Sequence, residues 1–388
     1  MIPVARPWMG ENEVAAARRV VLSGWVTQGP EVAAFEREFA AAVGAAHACA
    51  VSNCTAALHL ALVGLDVGPG DEVVTVSHSF IATANAVRHC GATPVFVDVE
   101  LATFNMAPAL VEGAITSRTK AILCVHQVGM PCDVRAIVAI ARAHGLKVVE
   151  DAACAVGSRI AFESGDSPDN RWEQVGRPHG DVACFSFHPR KLISTGDGGM
   201  LTTADAAFDQ RVRLLRQQGM SVSDTARHAS TRVISEAYPV VGFNYRLTDI
   251  QGAIGREQLK RLPAIVARRR LLADRYHAGL AGVLGVLLPV EPSWAQSNWQ
   301  SYVVRVESAS RQHAVMQRLL DNGIATRRGV MNSHREAAYP HGSWTMAPGG
   351  LSRSEQAQDT GIVLPLYHQL TESEQDRVIA VLIDAVSA

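Results

Sequence analysis

Between residues 46 and 200, short apolar runs alternate with helical patterns along the chain. Parallel strands need long crossover connections, which are usually helices, so this alternation predicts an α/β domain with a mainly parallel sheet between helices. Turn signals rich in glycine and proline separate some of the runs, as at 68–71 and 91–94. We expect strands at 47–52, 72–76, 93–97, 121–125, 146–150, 182–187 and 200–203, and helices at 55–65, 81–89, 107–115 and 133–144.

After residue 244 the pattern changes to a long amphipathic helix, a strand-like run at 300–306 and a final helix at 372–386. This part favours a smaller α+β domain over residues 244–388, behind an N-terminal arm and a large α/β domain over residues 1–243. Two polar stretches, 163–180 and 221–239, interrupt the alternation. Each is either a lid or binding loop, or a surface insertion.

The composition is that of an ordinary globular protein, with 388 residues, 48% of them hydrophobic, and a formal net charge of -1. No basic face favours nucleic acid, and no apolar run approaches the roughly 18 to 20 residues that span a bilayer. The seven cysteines lack CxxC spacing, which predicts reduced thiols and no metal site. Because the N-terminus also lacks a signal-type apolar core, we expect a cytoplasmic protein without nucleic-acid or membrane partners.

Lys191 lies in a segment unlike those of the other lysines. The chain has four lysines and 32 arginines, so it uses arginine for nearly every ordinary positive charge. Lys191 follows the strand-like run 182–187 and precedes the glycine-rich turn 196–199. A lysine amine that loses its proton can attack a carbonyl to form a Schiff base, which a guanidinium cannot do. A solvated surface charge, the ordinary interpretation of a lysine, fits the other three.

If Lys191 holds an aldehyde cofactor, Asp151 and the start of the helix after residue 53 are candidates to bind the rest of that cofactor. Asp151 follows a predicted strand, at the carboxyl edge where open α/β sheets bind ligands, and its carboxylate can pair with a protonated ring nitrogen. Backbone amides at a helix N-terminus bind phosphate, with hydroxyl groups available from Thr55 and Ser186. Helix capping and a solvated carboxylate explain these residues too, so both interpretations stay open.

Together, these segments resemble the DegT/StrS family of sugar aminotransferases, which are fold-type I enzymes that use pyridoxal 5'-phosphate. The resemblance covers the chain essentially from end to end, with the motifs in the order of the family. Its motifs are SGWVTQGP (23–30), VSNCTAALHLAL (51–62), GPGDEV (68–73), EDAA (150–153), SFHPRKLISTGDGGM (186–200) and GFNYR (242–246).

The resemblance implies which residues contact the ring of the cofactor. Lys191 forms the Schiff base, Asp151 pairs with the pyridine nitrogen, and Phe80 matches the aromatic residue that stacks on the ring. Lys191 and Asp151 are therefore the expected catalytic residues. Without the family, Phe80 would be interpreted as a core residue.

The resemblance also implies a phosphate site that two subunits share. Thr55, Ala56 and Ser186 match the residues that hold the phosphate within one subunit. Asn244 matches the asparagine that reaches the phosphate of the neighbouring subunit. A homodimer with shared active sites is therefore expected.

Three residues depart from the usual pattern of the family. Cys54 replaces a glycine in the turn before the phosphate site, and Asp197 replaces a glutamate in the glycine-rich turn. Cys154 stands where many members place glutamine or histidine beside the ring oxygen of the cofactor, and a thiol is a weaker hydrogen-bonding partner. None of the three changes the chemistry expected of Lys191.

The family comparison implies a ping-pong transamination. L-Glutamate or L-glutamine donates its amino group, and the keto group of a nucleotide-linked deoxysugar, or less often a keto-cyclitol, receives it. Lys191 moves the proton as general base and acid, while the ring nitrogen held by Asp151 stabilises the carbanion-like intermediate.

Residues expected to contact substrate lie in three segments of the chain. Arginines in such places bind carboxylates or diphosphates bidentately, although structural ion pairs explain them equally well. A histidine close to Lys191 either contacts substrate or packs behind the site. The candidates are Trp25, Thr27, His188, Arg327, Arg328 and His334.

Three other functions fit the sequence less well than transamination. Keto-sugar dehydratases of the family typically carry histidine at the Schiff-base position, so Lys191 argues against that reaction. A non-catalytic regulatory relative would be expected to lose Lys191 or Asp151, and both remain. A nicotinamide-dependent oxidoreductase has a similar fold, but no GxGxxG motif follows an early strand.

Overall fold

The computed structural model describes residues 1–162 and 171–387. Its strands are, in chain order, β1 (His47–Val51), β2 (Glu72–Val76), β3 (Thr93–Val97), β4 (Thr119–Val125), β5 (Lys147–Asp151), β6 (Arg159–Phe162), β7 (Arg171–Gln174), β8 (Val182–Ser186), β9 (Gly199–Thr203), β10 (Ala295–Gln296), β11 (Tyr302–Arg305), β12 (Arg327–Arg328), β13 (Thr345–Met346) and β14 (Gly361–Leu364).

The α-helices connect and cover these strands. They are α1 (Glu11–Ser23), α2 (Pro30–Val43), α3 (Cys54–Gly64), α4 (Ala82–His89), α5 (Val134–Ala143), α6 (Ala206–Arg216), α7 (Asp224–Ala229), α8 (Asp249–Leu280), α9 (Ala309–Asp321), α10 (Ser352–Thr360) and α11 (Glu372–Ser387).

The large sheet has the strand order β1-β9-β8-β5-β4-β2-β3-β13. Strand β9 runs antiparallel to both of its neighbours, and the other neighbouring pairs are parallel. This arrangement confirms the predicted α/β fold with a mainly parallel sheet. Strands β1, β8 and β5 therefore point the same way, and their carboxyl ends meet at one edge of the sheet.

Side chains alternate between the two faces of this sheet, and each face carries its own core. In β1, Ala48 and Ala50 belong to a core covered by α2, α5 and part of α8, while Cys49 and Val51 belong to a core covered by α3, α4 and α6. Because successive side chains in a strand point to opposite faces, a strand buried on both sides is mainly apolar along its length. This is why the strands were visible as continuous apolar runs.

A third core lies in the C-terminal part, where β11, β14 and β12 form a small antiparallel sheet beside α9 and α11. Helix α8 packs in two cores, with Leu262 in the first face of the large sheet and Leu272 and Tyr276 in the C-terminal core. The division into residues 1–243 and 244–388 stays a prediction.

The N-terminus of α2 is capped by a side chain from a distant helix. Asp249, the first residue of α8, accepts hydrogen bonds from the backbone N–H groups of Gly29 (2.8 Å), Glu31 (3.2 Å) and Val32 (2.9 Å). Gly29 itself offers no side chain to cap the helix. The carboxylate of Asp249 therefore satisfies donors that would otherwise lack partners and fixes the segment before α2 against α8.

Two expectations about local structure need correction. The helix expected at 107–115 is two short 3₁₀ turns, Pro108–Leu110 and Glu112–Ala114, and Gly113 in the second of them weakens an α-helix. Within the stretch 163–180, residues 163–170 lie outside the described residues, but Arg171–Gln174 forms β7, paired antiparallel with β6. Within 221–239, α7 occupies Asp224–Ala229, so this stretch is not all loop.

Candidate active site

Several of the predicted cofactor residues, among them Thr55, Asp151 and Ser186, lie where the carboxyl ends of β1, β5 and β8 meet. Val51, the last residue of β1, and Ser186, the last residue of β8, flank Gly199 in the sheet. A Cβ at Gly199 would lie only 2.5 Å from the carbonyl carbon of Asn53. Glycine therefore allows β9 to approach the turn before α3 closely, and this places the start of α3 next to Ser186.

Lys191 extends from a short loop between β8 and β9 towards Cys154. The loop is held by backbone hydrogen bonds, including that from the Lys191 N–H to the His188 carbonyl (2.8 Å). Nζ of Lys191 donates a hydrogen bond to Sγ of Cys154 at 3.1 Å. Burial lowers the pKa of this amine, but Cys154, Cys54 and Asp151 raise it by more, so its pKa lies above the ordinary value. In the protein without cofactor, the amine is therefore protonated.

Asp151 ends β5 and is buried. Its Oδ2 accepts a hydrogen bond from Oγ1 of Thr83 at 2.7 Å, and its Oδ1 accepts one from the Ala153 N–H at 3.1 Å. Burial raises the pKa of Asp151, while Thr83, the Ala153 N–H and Lys191 lower it by less. No ion pair of Asp151 occurs within residues 1–162 and 171–387. A buried carboxylate that has hydrogen bonds but no ion pair is suited to bind a cationic ligand.

The start of α3 has donors without protein partners. The side chain of Asn53 caps the helix by accepting the Ala56 N–H at 2.8 Å. Ala56 thus uses its amide within the protein. By contrast, neither the amide nor the hydroxyl of Thr55 has a hydrogen-bond partner in the described part of the chain. Together with the partial positive charge of the helix N-terminus, Thr55 is suited to bind an anion.

Two cavities meet at Lys191. The first, of about 600 Å³, is lined by the start of α3, Ser186 and His188, and the second, of about 440 Å³, by Cys154, Gln300 and residues 326–331. Three side chains line both cavities: Phe80, Arg190 and Lys191. The ring of Phe80 is 54% exposed, so it presents a free aromatic face at the junction.

The structure brings some of the predicted substrate residues to these cavities. His188 lines the first, and Arg327 and Arg328 line the second. Both arginines are exposed; Arg328 lies 3.7 Å from Glu336, whereas Arg327 has no ion pair within the described residues. The guanidinium of Arg327 is thus the freer of the two.

Other predicted residues lie outside both cavities. Trp25 packs edge-on against His228, and the carbonyl of Thr27 accepts the Asp249 N–H. Asn244 is exposed and pairs with Gln217 through the backbone. Their roles stay predictions, and that of Asn244 concerns a site that a second subunit would complete.

His334 also lies outside both cavities, and both of its ring nitrogens have partners. Nδ1 is 2.7 Å from Oγ of Ser77, and Nε2 is 3.1 Å from a carboxylate oxygen of Glu355. In this position it connects β2 to α10. A substrate contact by His334 stays a prediction that the contacts of this single chain do not favour.

Thr83 and Gln300 are residues of the site that the sequence did not single out. The sequence offered a weak indication of Thr83 as a site residue, since Thr83 lies three residues after Phe80 at the start of α4. Gln300 had none: it lines the second cavity, and its Nε2 donates to the carbonyl of Arg190 at 3.0 Å, next to Lys191.

Comparison with known proteins now identifies the family. The model of the DegT/DnrJ/EryC1/StrS aminotransferase family matches residues 7–383. The chain belongs to this family. It is similar to the spore coat polysaccharide biosynthesis protein SpsC of Bacillus subtilis (strain 168), with 35% identity over 99% of this chain and 97% of SpsC.

Solved structures of aminotransferases have the same fold as this DegT-family chain. The aminotransferase TlmJ from Streptoalloteichus hindustanus is 37% identical, with a TM-score of 0.89 over 100% of this chain and 99% of TlmJ. The PLP-form of the putative sugar aminotransferase Spr1654 from Streptococcus pneumoniae is 26% identical, with a TM-score of 0.89 over 100% of this chain and 98% of that one. The predicted enzyme class and cofactor, an aminotransferase that uses pyridoxal phosphate, are confirmed.

The residues of this aminotransferase fit pyridoxal phosphate. Lys191 supplies an amine, Asp151 a buried carboxylate without an ion pair in the described chain, and Thr55 an anion-binding amide and hydroxyl. Phe80 supplies an open aromatic face. Within residues 1–162 and 171–387, no group of three or more His, Cys, Asp or Glu side chains is placed to hold a metal ion. None of the helices in that part of the chain is long and apolar enough to cross a membrane.

Proposed function

We propose that this chain transfers an amino group from L-glutamate or L-glutamine to the keto group of a nucleotide-linked deoxysugar, by ping-pong transamination. The observation that carries the proposal is the position of Lys191 at the junction of the two cavities. One amine there serves both a cofactor in the first cavity and a substrate that enters the second. The names of two relatives, a polysaccharide biosynthesis protein and a putative sugar aminotransferase, support a sugar as acceptor.

Lys191 and Asp151 have different catalytic roles in this proposal. Bound pyridoxal phosphate supplies an aldehyde and an electron-accepting ring. Nζ of Lys191 holds the cofactor and, when free, takes a proton from one carbon and returns it to another as general base and acid. Asp151 keeps its negative charge towards the ring nitrogen, and the bonds from Thr83 and the Ala153 N–H hold its carboxylate in place.

The first cavity holds the phosphate in this proposal. Thr55 contributes its amide and hydroxyl, Ser186 contributes its hydroxyl, and the N-terminus of α3 contributes its partial positive charge. Since the Ala56 amide is bound to Asn53, Ala56 contributes only backbone shape. Phe80, which lines both cavities, would stack on the ring of the cofactor, and Cys154 would lie beside it.

The second cavity accepts the substrates. Arg327 has a free guanidinium there, which suits the carboxylate of the amino donor or a diphosphate of the acceptor, because both bind arginine bidentately. His188 lines the first cavity only, so in this proposal it would reach substrate only at the junction beside Lys191.

A homodimer with shared sites is part of the proposal. Asn244 is exposed and lies outside the cavities of its own chain. Large apolar side chains are also exposed in the segment that precedes it in sequence, among them Val233, Tyr238 and Val241. A second copy that covers them would bring its Asn244 to the phosphate. We place the reaction in the cytoplasm, because all seven cysteines are free thiols.

Absorbance spectroscopy tests the reaction. Protein purified with pyridoxal phosphate should show a visible band from the Lys191 Schiff base, and L-glutamate or L-glutamine should remove it. Lys191→Ala should abolish the covalent link and turnover. Protein that binds no cofactor when pyridoxal phosphate is supplied would overturn the proposal.

A substrate panel tests the acceptor. Keto-deoxysugars linked to different nucleotides and keto-cyclitols are each assayed with glutamate and with glutamine. We expect turnover with a nucleotide-linked keto-sugar. Turnover with keto-cyclitols alone would show that the proposed acceptor is wrong, while the proposed transamination would stand.

A further inference from the structure

Cys154 and Lys191 form a close pair of nucleophiles in a cavity that opens to solvent. Sγ of Cys154 lies 3.1 Å from Nζ of Lys191, and both side chains line the second cavity of about 440 Å³. Cys154 is partly exposed, whereas the other six cysteines are buried. A small oxidant that enters this cavity therefore reaches one thiol and one amine side by side.

The other cysteines are poorly suited to react. Burial raises the pKa of Cys49 to about 11 and that of Cys90 to about 12. Burial likewise raises the pKa of Cys54 and Cys184 well above the ordinary value. Since the thiolate is the nucleophile, and reactive cysteines are partly exposed and lie beside a cation, Cys154 is the site that oxidants attack first.

We propose that a peroxide converts Cys154 and Lys191 of the cofactor-free chain into a covalent sulfur–nitrogen pair. In the first step, the Cys154 sulfur attacks the peroxide and the O–O bond breaks. Sulfur becomes a sulfenic acid, oxidised by two electrons, and the peroxide is reduced to water or an alcohol. In the second step, the Lys191 amine first releases one proton to solvent, and its nitrogen then attacks sulfur. The S–O bond breaks, and the oxygen leaves as water with a second proton from the amine.

The first step prepares the second. Cys154 is among the groups that raise the pKa of Lys191, and burial is the influence that lowers it. The sulfenic acid is neutral, so oxidation leaves no sulfur charge to hold the proton on the buried amine. The 3.1 Å separation then leaves little movement for the amine to make before it attacks.

The bond is reversible and competes with the cofactor. A small thiol that attacks the sulfur of the S–N bond releases Lys191 as an amine, and a second thiol then frees Cys154 while the small thiols form a disulfide. While the S–N bond exists, Lys191 cannot form a Schiff base. This last consequence rests on the proposed function, whereas the bond itself rests only on the two side chains.

Mass spectrometry of the cofactor-free full-length chain tests the bond. One equivalent of hydrogen peroxide should lower the intact mass by two hydrogen atoms, and peptide mapping should find the Cys154 and Lys191 peptides joined. A reducing thiol should restore the original mass. A stable sulfenic or sulfinic acid on Cys154, or a disulfide between Cys154 and Cys54, would overturn the proposal.

Two variants separate the steps. Cys154→Ser should show no S–N bond, and Lys191→Arg should stop at the sulfenic acid, which a dimedone probe traps, because a guanidinium is not the required nucleophile. A cross-link at the remaining partner in either variant would contradict the assignment. Holoenzyme treated in the same way should be protected, since its amine is engaged. If the bond forms in the chain without cofactor but holoenzyme cannot be made, the proposed function fails and the bond stands.

Discussion

Oγ1 of Thr83 donates a hydrogen bond of 2.7 Å to Oδ2 of Asp151, across 68 residues of sequence. Thr83 also lies 2.8 Å from the hydroxyl of Ser79, so a short chain of hydroxyl groups ends at the buried carboxylate. This bond lowers the pKa of Asp151 against the effect of burial. Thr83 therefore helps to keep negative the carboxylate that faces the ring nitrogen in the proposed mechanism.

Thr83→Val should lower kcat by about tenfold, since a hydrogen bond to a charged group contributes roughly 1.5 to 3 kcal/mol. Because the lost bond lowers the pKa of Asp151, that pKa should rise, and the acid side of the pH–rate profile should move to higher pH. Steady-state kinetics across pH measures both effects. Thr83→Ser keeps the hydroxyl and should retain most of the activity; an equal loss in both variants would point to packing instead.

Mixing two inactive chains tests the shared site. Lys191→Ala and Asn244→Ala chains should each have little activity, but a mixed dimer has one site in which both residues are intact. Activity should therefore return after subunit exchange, to at most half of the wild-type value per dimer formed. Exchange is checked with differently tagged chains, and proven exchange without rescue would count against a site built from two subunits.

Arg327 and Arg328 should differ in their contribution to substrate binding. Arg327→Gln removes a guanidinium without an ion pair in the described chain, and we expect KM for the donor or the acceptor to rise by about tenfold. Arg328→Gln is the matched control, because Arg328 already lies near Glu336 and should matter less. A larger effect from Arg328→Gln would reverse the assignment.

His78 should make stability depend on pH. Burial lowers its pKa to about 4, against roughly 6.5 in the unfolded chain. Between these values the unfolded state binds more protons, so stability rises with pH; it is lost as pH falls from about 6.5 to about 4, by about 3 kcal/mol. Thermal unfolding of wild type and His78→Gln should be measured across this pH range. The change in stability per pH unit should be smaller in the variant. Parallel curves would exclude this histidine as the source.

Asp249→Ala should destabilise the protein by about 2 to 3 kcal/mol, because three backbone donors at the start of α2 lose their acceptor. Asp249→Asn keeps the oxygen that accepts two of them and should lose less. Thermal unfolding compares the two variants. Equal loss would mean that the charge matters more than the hydrogen-bond geometry.

The fold and the chemical centre were largely predictable from local patterns. The strands Glu72–Val76 and Thr93–Val97 begin and end where the expected strands do, since a strand buried on both faces is mainly apolar and stands out along the chain. Lys191, Asp151 and Ser186 could be placed at one edge because parallel strands end together. Local pattern failed at 107–115, where the chain forms two 3₁₀ turns and Gly113 disfavours an α-helix.

Contacts between distant residues were decided only by packing. Asp249 caps α2 across 220 residues, and Gln300 holds the carbonyl beside Lys191 across 110. The N···S contact between Lys191 and Cys154 likewise depends on how the loop after β8 folds over β5. Apolar periodicity is a property of neighbouring residues and can be read along the chain. A hydrogen bond between remote side chains exists only when the sheet and helices bring them within about 3 Å, which the tertiary structure alone specifies.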